Sequence, residues 1–231
     1  MDNSTRLQYL EAMGIDVWVS RESTQVEVLQ FVDEASYPVI EQAEKQPEVD
    51  DWAVLQKQVA ECQRCELCHT RTQTVFGAGN KNADWMFIGE APGQNEDLEG
   101  KPFVGQAGLL LTEMIRAMGL ERDSVYIANI LKCRPPSNRD PKVEEVKACH
   151  DYLQQQITLI KPKIILAVGR IAAQTLLETS EPLSKLRGRV HQLMGVPLVV
   201  VYHPAYLLRS LLEKRKAWQD LQMAIKVYQE K

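Results

Sequence analysis

The chain has 231 residues, a formal net charge of −4, a charged fraction of 25% and an apolar fraction of 45%. This length admits one ordinary domain with an appendage, or two very small ones. The composition is that of a soluble globular protein, and no apolar run approaches the length of a membrane span. The start, Met1-Asp2-Asn3-Ser4, lacks a basic-then-apolar leader, so we expect a cytoplasmic protein with no membrane attachment. The negative sum argues weakly against a nucleic-acid partner, although clustering of Lys and Arg on one face matters more. The five cysteines, Cys62, Cys65, Cys68, Cys133 and Cys149, point to metal or redox use and not to a disulfide framework.

Residues 1–50 read as an appendage ending in an acidic linker. Leu7, Leu10 and Met13 have helical spacing, with Gly14 as a stop, and Ile15 to Val19 form a short apolar patch. From Glu34 to Asp51 acidic residues dominate, interrupted by Pro38 and Pro47. The order Arg6, Leu10, Met13, Gly14, Ile15, Trp18 resembles the N-terminal segment of the psi subunit of the bacterial clamp loader. That resemblance implies a replication-protein contact through residues 6–18; docking on the chain's own domain is the other reading.

Residues 51–231 carry the main domain. Trp52, Val54, Leu55 and Val59 predict a helix over 51–60, which runs into Cys62-Gln63-Arg64-Cys65-Glu66-Leu67-Cys68. Val75 to Gly77 suggests a short extended piece, and Trp85 to Gly89 a strand. A helix carrying Leu110, Leu111, Met114, Ile115 and Met118 should stop at Gly119. Val125 to Ile130 predicts a second strand, followed by a loop from Lys132 to Pro141 that is too Pro-rich for regular structure. A long helix over 142–160, a strand over 164–168, a helix over 171–177, a strand over 198–202 and a last helix over 211–228 complete the chain. Strands alternating with helices imply an α/β fold with a mostly parallel sheet covered on both faces.

Chemistry concentrates at the strand ends. The first strand feeds Gly89-Glu90-Ala91-Pro92-Gly93, then the carboxylates Glu96, Asp97 and Glu99, then Pro102-Phe103-Val104-Gly105. Ligands of open α/β sheets bind at such carboxyl ends, and a small planar ring suits this turn. Cys62 and Cys65, brought together with Cys133 and Cys149, would suit a tetrahedral thiolate site for zinc or an iron–sulfur cluster, with Cys68 spare. Spacing alone does not separate the two, and buried reduced thiols are the plain alternative.

Three stretches can now be read together: Gly89-Glu90-Ala91-Pro92-Gly93, Asn129-Ile130-Leu131-Lys132-Cys133-Arg134-Pro135-Pro136-Ser137-Asn138-Arg139, and His203-Pro204-Ala205-Tyr206-Leu207-Leu208-Arg209. With the four cysteines and in this order, they resemble the type-4, iron–sulfur uracil-DNA glycosylases over residues 62–228. The resemblance implies a three-layer α/β/α sandwich around a four-stranded parallel sheet. It also implies a 4Fe–4S cluster on Cys62, Cys65, Cys133 and Cys149, with zinc as the alternative. The activity implied is excision of uracil from DNA by a monomer. No reactive His follows Asn129 in the loop, which disfavours the related crosslinking branch.

The same resemblance implies the roles. Gly89, Glu90, Ala91, Phe103, Asn129, Asn138 and His203 would form the uracil site, with Phe103 stacking on the ring and Asn129 reading its edge. His203 would donate to O2 as charge collects there. Where relatives carry an acidic or amide group to activate water stands Ala91, so Glu90 or Glu96 would orient the water; Asp97 and Glu99 read as solvated loop charges. Lys132, Arg134, Arg139 and Arg209 would grip the DNA backbone, while Leu207 or Leu208 would wedge into the base stack.

Overall fold

The computed structural model describes residues 51–230; the readings made for residues 1–50 lie outside them. Helix α1 spans Asp51–Ala60, and a single helical turn at Glu66–His69 follows. Then come β1 (Ala78–Gly79), β2 (Trp85–Gly89), α2 (Gln94–Glu99), α3 (Gln106–Ala117) and β3 (Tyr126–Asn129). After the Pro-rich loop follow α4 (Val143–Ile160), β4 (Ile164–Val168), α5 (Arg170–Leu176) and α6 (Leu183–Leu186). The chain closes with β5 (Val190–Leu193), β6 (Val196–Val201), α7 (Pro204–Arg209) and α8 (Lys214–Gln229).

The strands form one sheet in the order β1-β3-β2-β4-β6-β5. The central four, β3, β2, β4 and β6, are parallel, as expected; antiparallel β1 and β5 extend both edges, so the sheet has six strands and not four. The central strands carry side chains that face two cores alternately. Met86, Ile88, Tyr126, Ala128, Ile165, Ala167, Leu198 and Val200 pack with α1, α4 and α5 on one face. Trp85, Phe87, Ile127, Ile164, Leu166, Val199 and Val201 pack with α3 and α8 on the other. Because both faces are covered, these strands are apolar apart from Asn129 at the end of β3, the pattern of a parallel α/β/α sheet. Strand β5 alternates exposed and half-buried residues and carries no such run. It is joined to β6 by Met194-Gly195, both at positive φ (50° and 78°), the backbone that a tight two-residue hairpin requires.

Register places the site. Gly89 and Asn129 are paired at the carboxyl ends of β2 and β3, and β6 ends two residues before His203. All three therefore emerge at the same edge of the sheet. Among the described residues, no helix is long and apolar enough to cross a membrane.

Candidate active site

A cavity of ≈ 620 Å³ opens at these strand ends, with Glu90, Phe103, Asn129, His203 and Arg209 in its wall. Gly89 is its floor. A Cβ there would stand 2.4 Å from Asn129 Oδ1 and 2.6 Å from the tip of the Phe103 ring, so only glycine lets the two side chains approach each other.

Phe103 has φ 53°, a left-handed conformation unfavourable for a bulky residue. Several contacts hold it there. Glu96 accepts from the Val104 N–H (2.9 Å) and the Gly105 N–H (3.2 Å) through one oxygen, and from the Gly93 N–H (3.1 Å) through the other. Arg122 donates to the carbonyls of Pro102 and Phe103 at 2.9 and 3.0 Å. A Cβ at Gly108 would lie 1.8 Å from the Phe103 carbonyl oxygen, so the following helix packs directly on this turn. The carboxylate of Glu96 is thus engaged with the backbone and fixes the Phe103 turn.

Asn129 is almost fully buried, and its Oδ1 has no hydrogen-bond partner. Its backbone carbonyl accepts from Lys132 Nζ at 2.8 Å, and the same amine donates to Gln156 Oε1 at 2.6 Å. A buried acceptor left unpaired costs roughly 1–3 kcal/mol, so one that persists at the back of a cavity is suited to a ligand's donor.

His203 caps the N-terminus of α7. Its Nδ1 accepts from the Ala205 N–H at 3.1 Å, which leaves the proton of the neutral ring on Nε2. Burial, with Arg209 adding to it, pushes the imidazole pKa down to about 4. The ring is therefore neutral at physiological pH, with an N–H at Nε2. It lies 5.7 Å from the Phe103 ring.

Glu90 behaves in the opposite way: burial, reinforced by Asp140 and opposed by Arg170, raises its carboxyl to about 7. Ala91 lines the cavity without a polar side-chain group. Asn138 lines it too, at φ 53°, and accepts from Arg134 Nε at 2.8 Å.

Several readings need correction. Leu207 is 1% exposed and packs in the core under α7, so it has no surface with which to wedge; Leu208, 42% exposed, is the residue of that pair facing solvent. Lys132 is buried, with its amine used internally, and is no phosphate contact. Asp97 is not a solvated charge: it is buried and accepts from the Thr72 N–H at 3.0 and 3.1 Å. Arg139 and Arg209 line the cavity, and Arg139 is paired with Glu145 at 2.5 Å. The supports from Arg122, Asp140 and Arg170 were not foreseen, since each lies in a different stretch of chain from the group it affects.

The cysteines converge elsewhere. Cys62, Cys65, Cys133 and Cys149 line one small cavity on the α1–α4 side of the sheet, and Cys68, expected as a spare, lines it as well. Arg71 donates to Cys133 Sγ at 3.0 Å and to the Cys62 carbonyl at 2.9 Å. Burial pushes the Cys133 thiol up to about 11 and also raises Cys65 and Cys149. Among the described residues, no three His, Cys, Asp or Glu side chains stand arranged around a single ion. The thiols border a void, with Arg71 and Lys132 beside them. This soft donor set fits a thiolate-bound metal group, zinc or an iron–sulfur cluster.

Residues 76–222 match the profile of the uracil DNA glycosylase superfamily. A type-4 uracil-DNA glycosylase of Archaeoglobus fulgidus is 46% identical over 160 residues, covering 66% of this chain and 80% of the relative. Type-4 enzymes of Sulfurisphaera tokodaii and Saccharolobus solfataricus are 44% and 45% identical over 180 residues, each covering 72% of this chain and more than four-fifths of the relative. With the sheet order, the strand-end cavity and these identities in agreement, the chain belongs to the type-4 branch of the uracil DNA glycosylase superfamily.

Proposed function

We propose that this protein removes uracil from DNA, hydrolysing the bond between uracil N1 and deoxyribose C1′ and leaving an abasic site for base excision repair. One observation carries the reading: the unpaired Oδ1 of Asn129, buried against Gly89 in the wall of the cavity that Phe103 also lines. A base inside a duplex is out of reach, so the nucleotide must rotate out into this cavity. Phe103 stacks on the ring, a contact worth about 1–3 kcal/mol that is blind to the ring's edge. Asn129 supplies the discrimination. Its Oδ1 accepts from N3–H and its amide nitrogen donates to O4, whereas cytosine presents an acceptor at N3 and a donor at N4 and mismatches both.

As the glycosidic bond breaks, negative charge gathers on the uracil around O2. His203, neutral with its proton on Nε2, donates there, and this contact strengthens as charge develops. Glu90, raised to about 7 by burial, takes the place left empty by Ala91: its ionised form orients the attacking water and faces the cationic sugar. Arg139 and Arg209 meet phosphates at the rim, and Leu208 fills the gap left in the stack.

In this reading Cys62, Cys65, Cys133 and Cys149 hold a 4Fe–4S cluster, supported by the convergence of their thiols on one small cavity with Arg71 and Lys132 beside them. The bound cluster supplies a structural cross-link between the loop after α1, the Pro-rich loop and α4. Arg71 donates to one of its thiolates.

The test is incubation with uracil-containing oligonucleotides followed by alkaline cleavage at abasic sites. The wild-type chain should cut at uracil. Asn129→Asp should lower excision by ~10- to 100-fold while binding to undamaged DNA stays unchanged; equal losses in both would remove Asn129 from the recognition role.

A further inference from the structure

A second groove, ≈ 400 Å³, opens beside the uracil cavity and shares with it Glu90, Asp140, His203, Ala205 and Arg209. Its volume falls within the range of small-ligand sites, about 300–1,000 Å³. The rest of its lining differs in chemistry from the first cavity: Ile171 and Leu183 are apolar, Tyr206 is aromatic, and Arg170 is cationic. Tyr206 lies in α7, three residues after His203, and is 38% exposed.

The ring of Tyr206 is held rigidly. It stacks on Tyr202 with centroids 5.1 Å apart and planes inclined by 26°. The Arg187 guanidinium covers Tyr202 at 4.0 Å. Arg187 is in turn fixed by Asp220 at 2.6 Å and by the Lys216 carbonyl at 2.9 Å. A plate braced in this way, with surface left open beside two arginines, has the composition of a single-strand binding site: an aromatic face for a base and cations for the backbone. Arg170 is engaged with Asp140 at 3.1 Å, an exposed pair that yields readily to a phosphate.

We propose that this groove is a subsite for the nucleotide next to the uracil on the same strand, its base stacked on Tyr206 and its phosphate met by Arg209 and Arg170. The subsite rests on the uracil-excision reading above. Continuity decides the occupant, because a strand with its uracil under His203 leaves the cavity across the wall that the two spaces share. Such a contact acts on single strands and duplexes alike. A stack-filling wedge, by contrast, acts on duplexes alone.

The experiment crosses protein and substrate variants. Short single-stranded oligonucleotides carry uracil with a normal nucleotide on both sides, or with a base-less spacer on the 5′ or the 3′ side. The wild-type chain should lose about 5- to 150-fold in kcat/KM with the spacer on one side, which identifies the neighbour bound. Tyr206→Ala should show the same loss on the normal substrate and no further loss with that spacer. Tyr206→Trp should retain the wild-type pattern, which separates stacking from folding. A spacer that costs the wild-type chain nothing on either side, or one that costs wild type and Tyr206→Ala equally, would overturn the subsite. No cleavage of any substrate by the wild-type chain would instead remove the glycosylase reading beneath it.

Discussion

The uracil cavity and the cysteine cavity lie on one chain, with only Ile130, Leu131 and Lys132 between Asn129 and Cys133, yet they are built on opposite plans. The first is open, ≈ 620 Å³, and its recognition groups are short of partners: Oδ1 of Asn129 is unpaired, and the Nε2 proton of His203 is free of the capping bond. The second is small, ≈ 10 Å³, with Cys133 and Cys149 buried, Cys62, Cys65 and Cys68 half-buried, and Arg71 donating to Cys133. Unsatisfied polar groups suit a ligand that comes and goes. Enclosed soft donors suit one that arrives during folding and stays. Lys132 stands between them, with its amine bonded to the Asn129 carbonyl and its backbone joined to Cys133.

Perturbing either plan should have a characteristic result. The largest effect falls on the open site. Replacing His203 by Ala removes the proposed donor at the developing charge and should lower the rate of excision about 10²- to 10³-fold in single-turnover assays, while loss of the α7 cap costs about 0.5–2 kcal/mol of stability. A loss under tenfold would mean that charge stabilisation comes from another group.

The next effect is one of pH. In the proposed reaction Glu90 acts when ionised and His203 when neutral, and burial moves their pKa values to about 7 and about 4. Excision should therefore fall roughly tenfold per unit as pH drops below about 7 and level off above it. Glu90→Gln should flatten this acid limb. A limb that survives the substitution would assign the titration elsewhere.

The smallest effect on chemistry belongs to the closed site. Arg71→Ala deletes a hydrogen bond to a thiolate of the proposed cluster, a loss of about 1.5–3 kcal/mol, and should lower the melting temperature by ~3–12 °C. Excision at 25 °C should stay within about twofold of wild type. A large drop in rate without a drop in melting temperature would show that the two regions are less separate than their construction suggests.

The central sheet was legible because burial on both faces forces unbroken apolar runs such as Ile164 to Val168. Strand β5 was not, since an edge strand with one wet face carries no such run and its turn is Met194-Gly195 in place of the commoner Asn-Gly. The strand-end residues were legible as types with chemical uses; their partners were not. Lys132 in a Pro-rich loop has the signature of a surface cation, and only the tertiary fold brings Gln156 to its amine. In a helix as short as α7, periodicity cannot decide which of Leu207 and Leu208 turns inward. The tautomer of His203 and the raised pKa of Glu90 follow from contacts made after folding, so no pattern of residues announces them.

The carboxylate of Glu96 ties together both ends of the turn that carries Phe103, receiving three backbone N–H groups at once. An amide in its place keeps only one acceptor oxygen and turns an NH2 toward backbone donors. A survey of point variants scored by turnover alone would therefore rank Glu96 among the reacting groups, although its neighbours in space are peptide nitrogens. The difference would surface in how long uracil stays bound, because a plate that rocks holds its ring less firmly. Residence time, more than rate, is the quantity in which this residue's architectural work becomes visible.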